Sequence, residues 1–451
     1  MADLNIYNPA FTREMPARNR ACLYGAMPVS TPQGRALFNY LILSPGHTAG
    51  SEEVNAEQMA DLMQNLLFGQ NLEHLLLPKT KRFMLRAVPT EDWIRFRNHI
   101  NEKYLIIRLP DGYTPTPDEE RIMLGLRRAG AQFAMALGDM GSVPQNHELL
   151  ECIDYVFIDH KHQHGLLTAY EGLKQKLPRL KNIGFKEDGV DFSIDEAAQY
   201  DCVCGMVRQR FIEYGSERPK WQHELMRTLA EEFSGIYDLR EVIKRAARYP
   251  EMAQALRSMF NSKRLIALTV KRNSSFSSTV ALRYSKTDLV NILCISTAYG
   301  LMCETQKRFD GNADDKYVQD PLASSFGYFR SALIAGRVIS RLAGQVCDDY
   351  ETNHAFIVGF LMYLPMMIRD HKEKVRGEFM LSAVSEFYNG GGTLSLLLKG
   401  YHAVIHRNFE QLADLAARIG IAFPKEQYYR DYYEAMIWAE EVIRVIAGEQ
   451  S

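Results

Sequence analysis

The chain has 451 residues, of which 46% are hydrophobic and 24% are charged, and its formal net charge is -2. The composition is typical of a globular protein, so disorder is not the default expectation, and the length is enough for two or three domains. The nearly neutral balance also excludes the chain-wide basic character of many nucleic-acid-binding proteins, so we expect no nucleic acid as a partner.

The cysteines indicate the compartment. Seven of them are scattered along the chain without a repeated spacing. This pattern argues against a disulfide framework and favours a reducing environment.

Residues 1–5 have neither the basic nor the apolar character of a secretory signal. The longest apolar run, residues 355–368, is shorter than the ~20 residues that a membrane helix needs, and it predicts a buried core helix. We therefore expect a cytoplasmic protein without a membrane partner.

Short apolar runs alternate with helical patterns through the first half of the chain. The predicted strands cover residues 37–43, 83–88, 104–109, 133–137, 155–159 and 182–185, and a predicted helix covers residues 59–67. Thr116 and Glu119 form a capping box that predicts a helix start, and Gly130 predicts its end. Ser193 and Glu196 form a second capping box. The alternation predicts a parallel sheet covered by helices, and both an open sheet and a closed barrel fit the pattern.

The second half changes character after about Gly215. Residues 216–220 are polar and contain a proline, so they predict a linker between a domain at residues 1–215 and another at residues 216–451. Helical periodicity then dominates. The predicted helices cover residues 238–260, 326–342, 409–419 after a cap at Asn408, and 429–446. The fold class is therefore an α/β domain followed by an all-α domain.

Several segments of the first half follow one another in a recognisable order. Residues 136–141 read Ala-Leu-Gly-Asp-Met-Gly, residues 154–159 read Asp-Tyr-Val-Phe-Ile-Asp, and residues 187–191 read Glu-Asp-Gly-Val-Asp. They resemble the paired-aspartate loop, the Asp-Tyr-x-Lys-Ile-Asp strand and the Ala-Glu-Gly-Val-Glu segment of the EAL family of cyclic-di-GMP phosphodiesterases. Residues 6–11 resemble that family's opening strand, and residues 23–27 lie where its Glu-Ala-Leu segment is expected. The resemblance implies a TIM-like barrel with its site at the carboxyl ends of the strands.

The resemblance also implies that the family's chemistry is missing. EAL enzymes hydrolyse a phosphodiester with two divalent cations, which need several carboxylate and amide oxygens. Gly25 stands in place of the first glutamate, Gly138 in place of the first paired aspartate, and Phe157 in place of the lysine. Acidic side chains remain at four positions. They are Asp139, Asp159, Asp188 and Asp191. These seven positions define a vestigial EAL site without a metal.

At two further ligand positions the resemblance leaves two adjacent residues as alternatives. Either Leu85 or Arg86 stands in place of the asparagine ligand, and either Ile107 or Arg108 in place of the next glutamate. Cys204 replaces the substrate-side glutamine. None of these alternatives restores an oxygen ligand.

The second half carries its own resemblance. Residues 355–365 read Ala-Phe-Ile-Val-Gly-Phe-Leu-Met-Tyr-Leu-Pro and resemble the Ala-Phe-x-x-Gly-Leu-Leu-His segment of HDOD domains, which are helical relatives of the HD phosphohydrolases. Met362 and Tyr363 occupy the place of the catalytic His-Asp pair, so this vestigial HD position implies no metal. A degenerate EAL barrel followed by an HDOD domain is a known bacterial arrangement.

Two histidine patterns admit a metal interpretation. His160, His162 and His164 follow a predicted strand, and they fit either a transition-metal site or a solvated histidine-rich loop, which is the simpler interpretation. His402 and His406 are four residues apart, but no glutamate follows His402 as in a metalloprotease motif. Ordinary packing explains that second pair better.

The leading hypothesis is a non-enzymatic bacterial signal-transduction adaptor without a cofactor. It would act through protein–protein contacts with other signalling proteins in cyclic-di-GMP-linked regulation such as motility or biofilm formation, and a homodimer is compatible with it. One alternative is a sensor that binds cyclic-di-GMP without hydrolysis. Another is an active hydrolase that uses a rearranged metal set of the four remaining aspartates.

Overall fold

The structure is a computed structural model that divides into two compact units, Met1–Val207 and Arg208–Ser451. It describes residues 21–45, 82–89, 102–141, 147–186, 191–208, 218–262, 284–309, 321–370, 387–388, 390–405, 414–415, 417–418 and 425–447. The predicted strand at residues 6–11, the predicted helix at residues 59–67, and Asn408 with most of its helix lie outside these residues.

The first unit is a closed eight-stranded barrel. Its strands are β1 (Ala21–Ser30), β2 (Ala36–Pro45), β3 (Phe83–Arg86), β4 (Leu105–Arg108), β5 (Gln132–Ala136), β6 (Ile153–Asp159), β7 (Lys181–Phe185) and β9 (Cys202–Cys204). Strands β2 to β7 and β9 run parallel to one another, whereas β1 is antiparallel to its neighbours β2 and β9. Strands β8 (Phe192–Ser193) and β10 (Val207–Arg208) form a separate two-stranded sheet. The six predicted strands match β2 to β7 to within two residues. Of the two arrangements that the sequence pattern allows, an open sheet and a closed barrel, the structure has the closed barrel.

Alternate residues of all eight strands form one buried cluster, which is therefore the barrel interior. Its members are Val29, Phe38, Tyr40, Met84, Ile106, Ala134, Tyr155, Phe157, Ile183, Cys202 and Cys204. The rings of Phe38 and Tyr155 meet edge to face with centroids 5.6 Å apart. The interior is thus a packed aromatic and aliphatic core rather than a channel.

Four α-helices of this unit are described: α1 (Pro117–Ala129), α2 (His147–Cys152), α3 (Gln163–Lys176) and α4 (Ile194–Ala197). Both predicted capping boxes are present. Thr116 accepts a hydrogen bond from the Glu119 amide, and Ser193 accepts one from the Glu196 amide. Gly130 ends α1 with a φ of 110°, a left-handed conformation that favours glycine. Local capping chemistry therefore sets these helix ends as the sequence predicts.

The second unit is helical in its described residues. Its helices are α5 (Lys220–Phe233), α6 (Leu239–Ala246), α7 (Pro250–Asn261), α8 (Lys286–Phe309), α9 (Pro321–Val346), α10 (Asp349–Leu361), α11 (Leu364–Met367), α12 (Thr393–Ile405) and α13 (Lys425–Ala447). The single helix predicted at residues 238–260 is wrong, because Pro250 opens a new helix after Tyr249. A proline lacks the amide hydrogen that a helix interior requires. The helix predicted at residues 355–368 likewise ends at Leu361.

Helices α9 and α10 pack closely through two glycines. A Cβ atom added at Gly359 would lie 2.8 Å from Ile339 Cδ1 and 3.1 Å from Gly336 Cα. A side chain at either glycine would force the two helices apart, and such overpacking is unfavourable. Among the residues that the structure describes, no helix combines the length and the apolar character needed to span a bilayer.

Candidate functional site at the barrel mouth

The pairing of β3 with β4 shows which of the alternative residues face the barrel interior. Arg86 pairs with Arg108, and both are the last residues of their strands. Successive strand residues point to opposite faces. Because Met84 and Ile106 belong to the interior cluster, Arg86 and Arg108 share that interior face at the carboxyl end. Two cationic side chains therefore line the barrel mouth where the EAL resemblance expects oxygen ligands.

Arg108 lies in an aromatic box. Its guanidinium carbon is 4.3 Å from the ring centroid of Phe157, 5.5 Å from that of Tyr40 and 5.7 Å from that of Phe185. Nη1 donates a hydrogen bond of 2.9 Å to the Tyr40 hydroxyl. Aromatic faces attract a guanidinium, which is more weakly hydrated than an ammonium. Phe157 of β6, which the resemblance places at the family's lysine, thus packs against a cation from β4, two strands away in the barrel.

The charge of Arg108 is secured despite its burial. Only 6% of the residue is exposed. Burial lowers the pKa of Arg108, but the interactions with Tyr40 and Asp111 outweigh that effect, and its pKa is raised. The mouth therefore keeps this positive charge at any physiological pH.

Asp111 bridges the two arginines from the loop after β4. Its Oδ1 lies 3.2 Å from Arg108 Nη2, and its Oδ2 lies 3.2 Å from Arg86 Nη2. Gly112 follows with a φ of 72° and donates its amide hydrogen to Asp139 Oδ2 at 2.8 Å. Asp139 therefore anchors the loop that positions Asp111. Gly138 beside it is exposed, and a Cβ there would meet no atom within 4 Å.

Asp159, at the end of β6, is engaged by the turn that follows it. It accepts a hydrogen bond of 3.0 Å from the Lys161 amide, and its Oδ2 lies 2.9 Å from His162 Nδ1. This local hydrogen bonding gives Asp159 a structural role at the strand end.

His160 belongs to a different set of contacts. Its Nδ1 lies 3.0 Å from the Tyr200 hydroxyl, and its Nε2 lies 3.2 Å from Glu196 Oε1. Lys186 Nζ lies 2.9 Å from Glu196 Oε2. Burial raises the pKa of Glu196, but hydrogen bonds from Ser193 and Lys186 outweigh burial and lower it to about 2. His160 and His162 therefore pair with separate carboxylates, and the His164 side chain lies outside the described residues. Within the described ranges, no three His, Cys, Asp or Glu residues are grouped to hold a metal.

The other residues that the EAL resemblance singles out do not gather at one place among the described residues. Gly25 lies on the antiparallel strand β1 opposite Ile42, not at the carboxyl end of a parallel strand. The Asp191 carbonyl accepts a 3.4 Å hydrogen bond from Lys186 Nζ, and Asp188 lies outside the described residues. Cys204 is a buried interior residue. Sequence reasoning missed Tyr40 and Asp111, although a basic residue closing the apolar run Leu-Ile-Ile-Arg of β4 signals the site.

The vestigial HD position lies in the turn between α10 and α11. Met362 follows α10 and Tyr363 precedes α11, and both residues are half-buried. His402 is an exposed residue of α12, and His406 lies outside the described residues. The position thus combines a thioether and a phenol, which are poor ligands for a hard cation.

No family model matches the chain, and no curated protein matches it. Among solved structures, BlrP1 of Klebsiella pneumoniae in a calcium and cyclic-di-GMP complex is similar over 42% of this chain and 54% of that one, with 13% identity and a TM-score of 0.30. The manganese and cyclic-di-GMP complex of BlrP1 is similar over 43% of this chain and 56% of that one, with 13% identity and a TM-score of 0.31. The PaMucR phosphodiesterase in complex with cyclic-di-GMP is similar over 42% of this chain and 94% of that one, with 14% identity and a TM-score of 0.29. The matched region thus spans about half of BlrP1.

Proposed function

We propose that this protein is a non-enzymatic signalling adaptor that acts through contacts with other signalling proteins in cyclic-di-GMP-linked regulation. The observation that carries the proposal is the charge of the side chains at the barrel mouth. Arg86 and Arg108 present guanidinium groups from two adjacent strand ends, where the EAL resemblance expects oxygen ligands. A divalent cation would be repelled by these charges and would find few oxygens to coordinate it.

The remaining aspartates offer little support for a rearranged hydrolase. Asp139 holds the Gly112 amide, and Asp159 holds the Lys161 amide. A carboxylate that accepts backbone hydrogen bonds within its own loop is oriented by that loop rather than by a shared cation. The proposal therefore assigns both residues a structural role.

The helical unit is the proposed docking module. Three large apolar side chains are exposed among the described residues, and all lie in this unit: Ile236 at 79%, Tyr350 at 58% and Ile243 at 45%. Tyr350 also belongs to a ring cluster, since its centroid lies 4.5 Å from that of His354, which in turn lies 5.3 Å from Phe233. Exposed apolar and aromatic side chains of this kind serve as anchors in protein interfaces.

The docking module can be tested by affinity capture from the native host with the full chain as bait. We expect a defined signalling protein to be recovered with the wild type and to be lost with Ile236→Asp, because a charge would replace the most exposed apolar anchor. The matched control is Thr168→Asp, which places the same charge on an exposed position of α3 in the barrel unit. Equal recovery with all three baits would contradict a role of Ile236 in docking.

The second candidate function is a cyclic-di-GMP sensor that binds without cleavage. The same arginine pair favours it, because guanidinium groups bind phosphate oxygens well. Cys204 speaks against it, since a buried thiol replaces the family's substrate-side glutamine.

A further inference from the structure

We propose that the amino end of the barrel carries a docking surface for an acidic segment of a partner protein. This surface, the basic patch, consists of the exposed residues Arg128, Lys176, Arg179 and Lys181. The proposal rests on the adaptor function and gives that function a second contact, at the end of the barrel opposite its mouth.

The topology of the barrel brings these four cations to one end. Parallel strands begin at the same end of a barrel, and the helix that precedes each strand ends there. Arg128 lies in the last turn of α1, which leads into β5, and Lys176 lies in the last turn of α3, which leads into β7. Arg179 lies between α3 and β7, and Lys181 is the first residue of β7. The four residues therefore share the amino end of the barrel.

The helix ends account for only two of these cations. The carboxyl end of a helix has a partial negative charge that favours cations in its last turn, and the effect falls off beyond that turn. Arg128 and Lys176 are in such positions. Arg179 and Lys181 lie beyond the last turn of α3, so the helix ends do not explain their charge.

The acidic side chains at this end of the barrel pair with other cations. Asp154 lies 2.5 Å from Arg127, and Asp201 lies 3.1 Å from Lys174. Burial raises the pKa of Asp154, and the charges of Arg127 and Arg179 counteract that rise. Arg179 therefore lies near a carboxylate that is already engaged. Among the described residues, no carboxylate forms an ion pair with a member of the basic patch.

The loop that carries two of the cations is fixed by its own hydrogen bonds. Leu180 is 0% exposed, its amide donates to the Leu177 carbonyl at 2.9 Å, and its carbonyl accepts from the Tyr170 hydroxyl at 3.0 Å. Arg179 and Lys181 flank this buried residue and are exposed. A partner would thus meet cations on an ordered backbone, which lowers the entropic cost of docking.

The surroundings of the basic patch favour protein carboxylates over other anions. Sites for single-stranded nucleic acid combine cations with aromatic side chains that stack on bases, and membrane-surface sites add apolar side chains. Where the structure describes side chains, the exposed large apolar ones all lie in the helical unit. The net charge of -2 also disfavours a long polyanion. An acidic protein segment fits a small patch of exposed cations best.

The test is fluorescence anisotropy of a labelled oligoglutamate peptide that is titrated with the full chain at low ionic strength. We expect the double substitution Arg179→Glu with Lys181→Glu to weaken binding about tenfold, because two attractive contacts become repulsive. Arg179→Gln with Lys181→Gln perturbs the fold less and should weaken binding by a smaller factor. The matched control is Arg121→Glu with Lys161→Glu, which makes the same change in net charge at exposed positions outside the basic patch. It should leave the affinity unchanged.

A single-stranded oligonucleotide serves as the second probe. Peptide binding that both basic-patch pairs weaken and the control pair does not would support the proposal. Peptide binding that is not detected, that is equal in all variants, or that the control pair weakens as strongly would overturn the basic patch. Tighter binding of the oligonucleotide than of the peptide would overturn the assignment to an acidic protein segment. None of these results bears on partner capture by way of Ile236, so the two proposals can fail separately.

Discussion

Replacing Arg218 with methionine is expected to lower the free energy of unfolding of the helical unit by roughly 3–5 kcal/mol. Arg218 lies just before α5 and forms an ion pair with Asp370, which follows α11. The side chains are 5% and 0% exposed, so water cannot replace the lost partner. The substitution would remove the Arg218 cation from the buried Asp370 carboxylate, and removing one member of a buried ion pair is strongly destabilising.

The measurement is urea denaturation of the full chain followed by tryptophan fluorescence, because Trp221 and Trp438 both lie in the helical unit. Arg227→Met serves as the matched control, since Arg227 is an exposed arginine of α5 whose contact with Glu231 is 3.4 Å long. Exposed ion pairs contribute about 0–1 kcal/mol. A loss for Arg218→Met no larger than that of the control would contradict the buried pair.

Replacing Glu232 with glutamine is expected to raise the free energy of unfolding of the helical unit above neutral pH. The gain is a few kcal/mol, because the pKa of Glu232 is shifted by roughly three units and each unit corresponds to about 1.4 kcal/mol. Glu232 lies in α5 with 0% exposure, and both of its carboxyl oxygens lie 2.9 Å from Thr297 Oγ1. Burial raises the pKa of Glu232 to about 8, while Thr297 and Arg245 oppose that shift only in part. The buried carboxyl group is therefore neutral at pH 7.

The direction of the pH effect follows from the raised pKa. Below about pH 4.5 the group is protonated in both the folded and the unfolded chain, and its contribution is fully favourable. Between about pH 4.5 and pH 8 only the unfolded chain ionises, so stability falls as the pH rises, by at most ~1.4 kcal/mol per pH unit. Glutamine does not titrate, so Glu232→Gln should remove this slope and match the wild type near pH 5.

The profile is measured as urea midpoints from pH 5 to pH 9 for the wild type, Glu232→Gln and the control Glu241→Gln. Glu241 is an exposed glutamate of α6 that pairs with Lys244. Its substitution should keep the wild-type slope. Parallel profiles for the wild type and Glu232→Gln would show that Glu232 is not neutral in the folded protein.

The barrel strands could be predicted from the sequence because parallel strands buried on both faces appear as short, continuous apolar runs. The helix starts at Thr116 and Ser193 could be predicted because a capping box depends on four consecutive residues. The break at Pro250 required the same local reasoning and was missed, since the apolar periodicity continues across it. The close contact between Gly336 and Gly359 depends on tertiary packing, which no local pattern encodes.

The sequence predicted which metal ligands are missing from the candidate site, but it did not predict the arginine pair that lines it. Gly138 and Phe157 indicated missing ligands, but the choice of Arg86 and Arg108 over their neighbours required the register of β3 with β4. Gly25 was assigned to a ligand position because strand direction cannot be read from an apolar run, and the structure places it on the antiparallel strand. The bridge formed by Asp111 depends on the turn at Gly112, which only the folded loop reveals.

The most direct test of the central claim, that the barrel mouth is an arginine-lined site rather than a metal cage, is an assay of cyclic-di-GMP hydrolysis by the full chain with excess Mn²⁺. Our account predicts no product above that of the same mixture without protein, for the wild type as for Asp159→Ala. Turnover by the wild type that Asp159→Ala abolishes, and that a change at the exposed Asp118 leaves intact, would contradict the account.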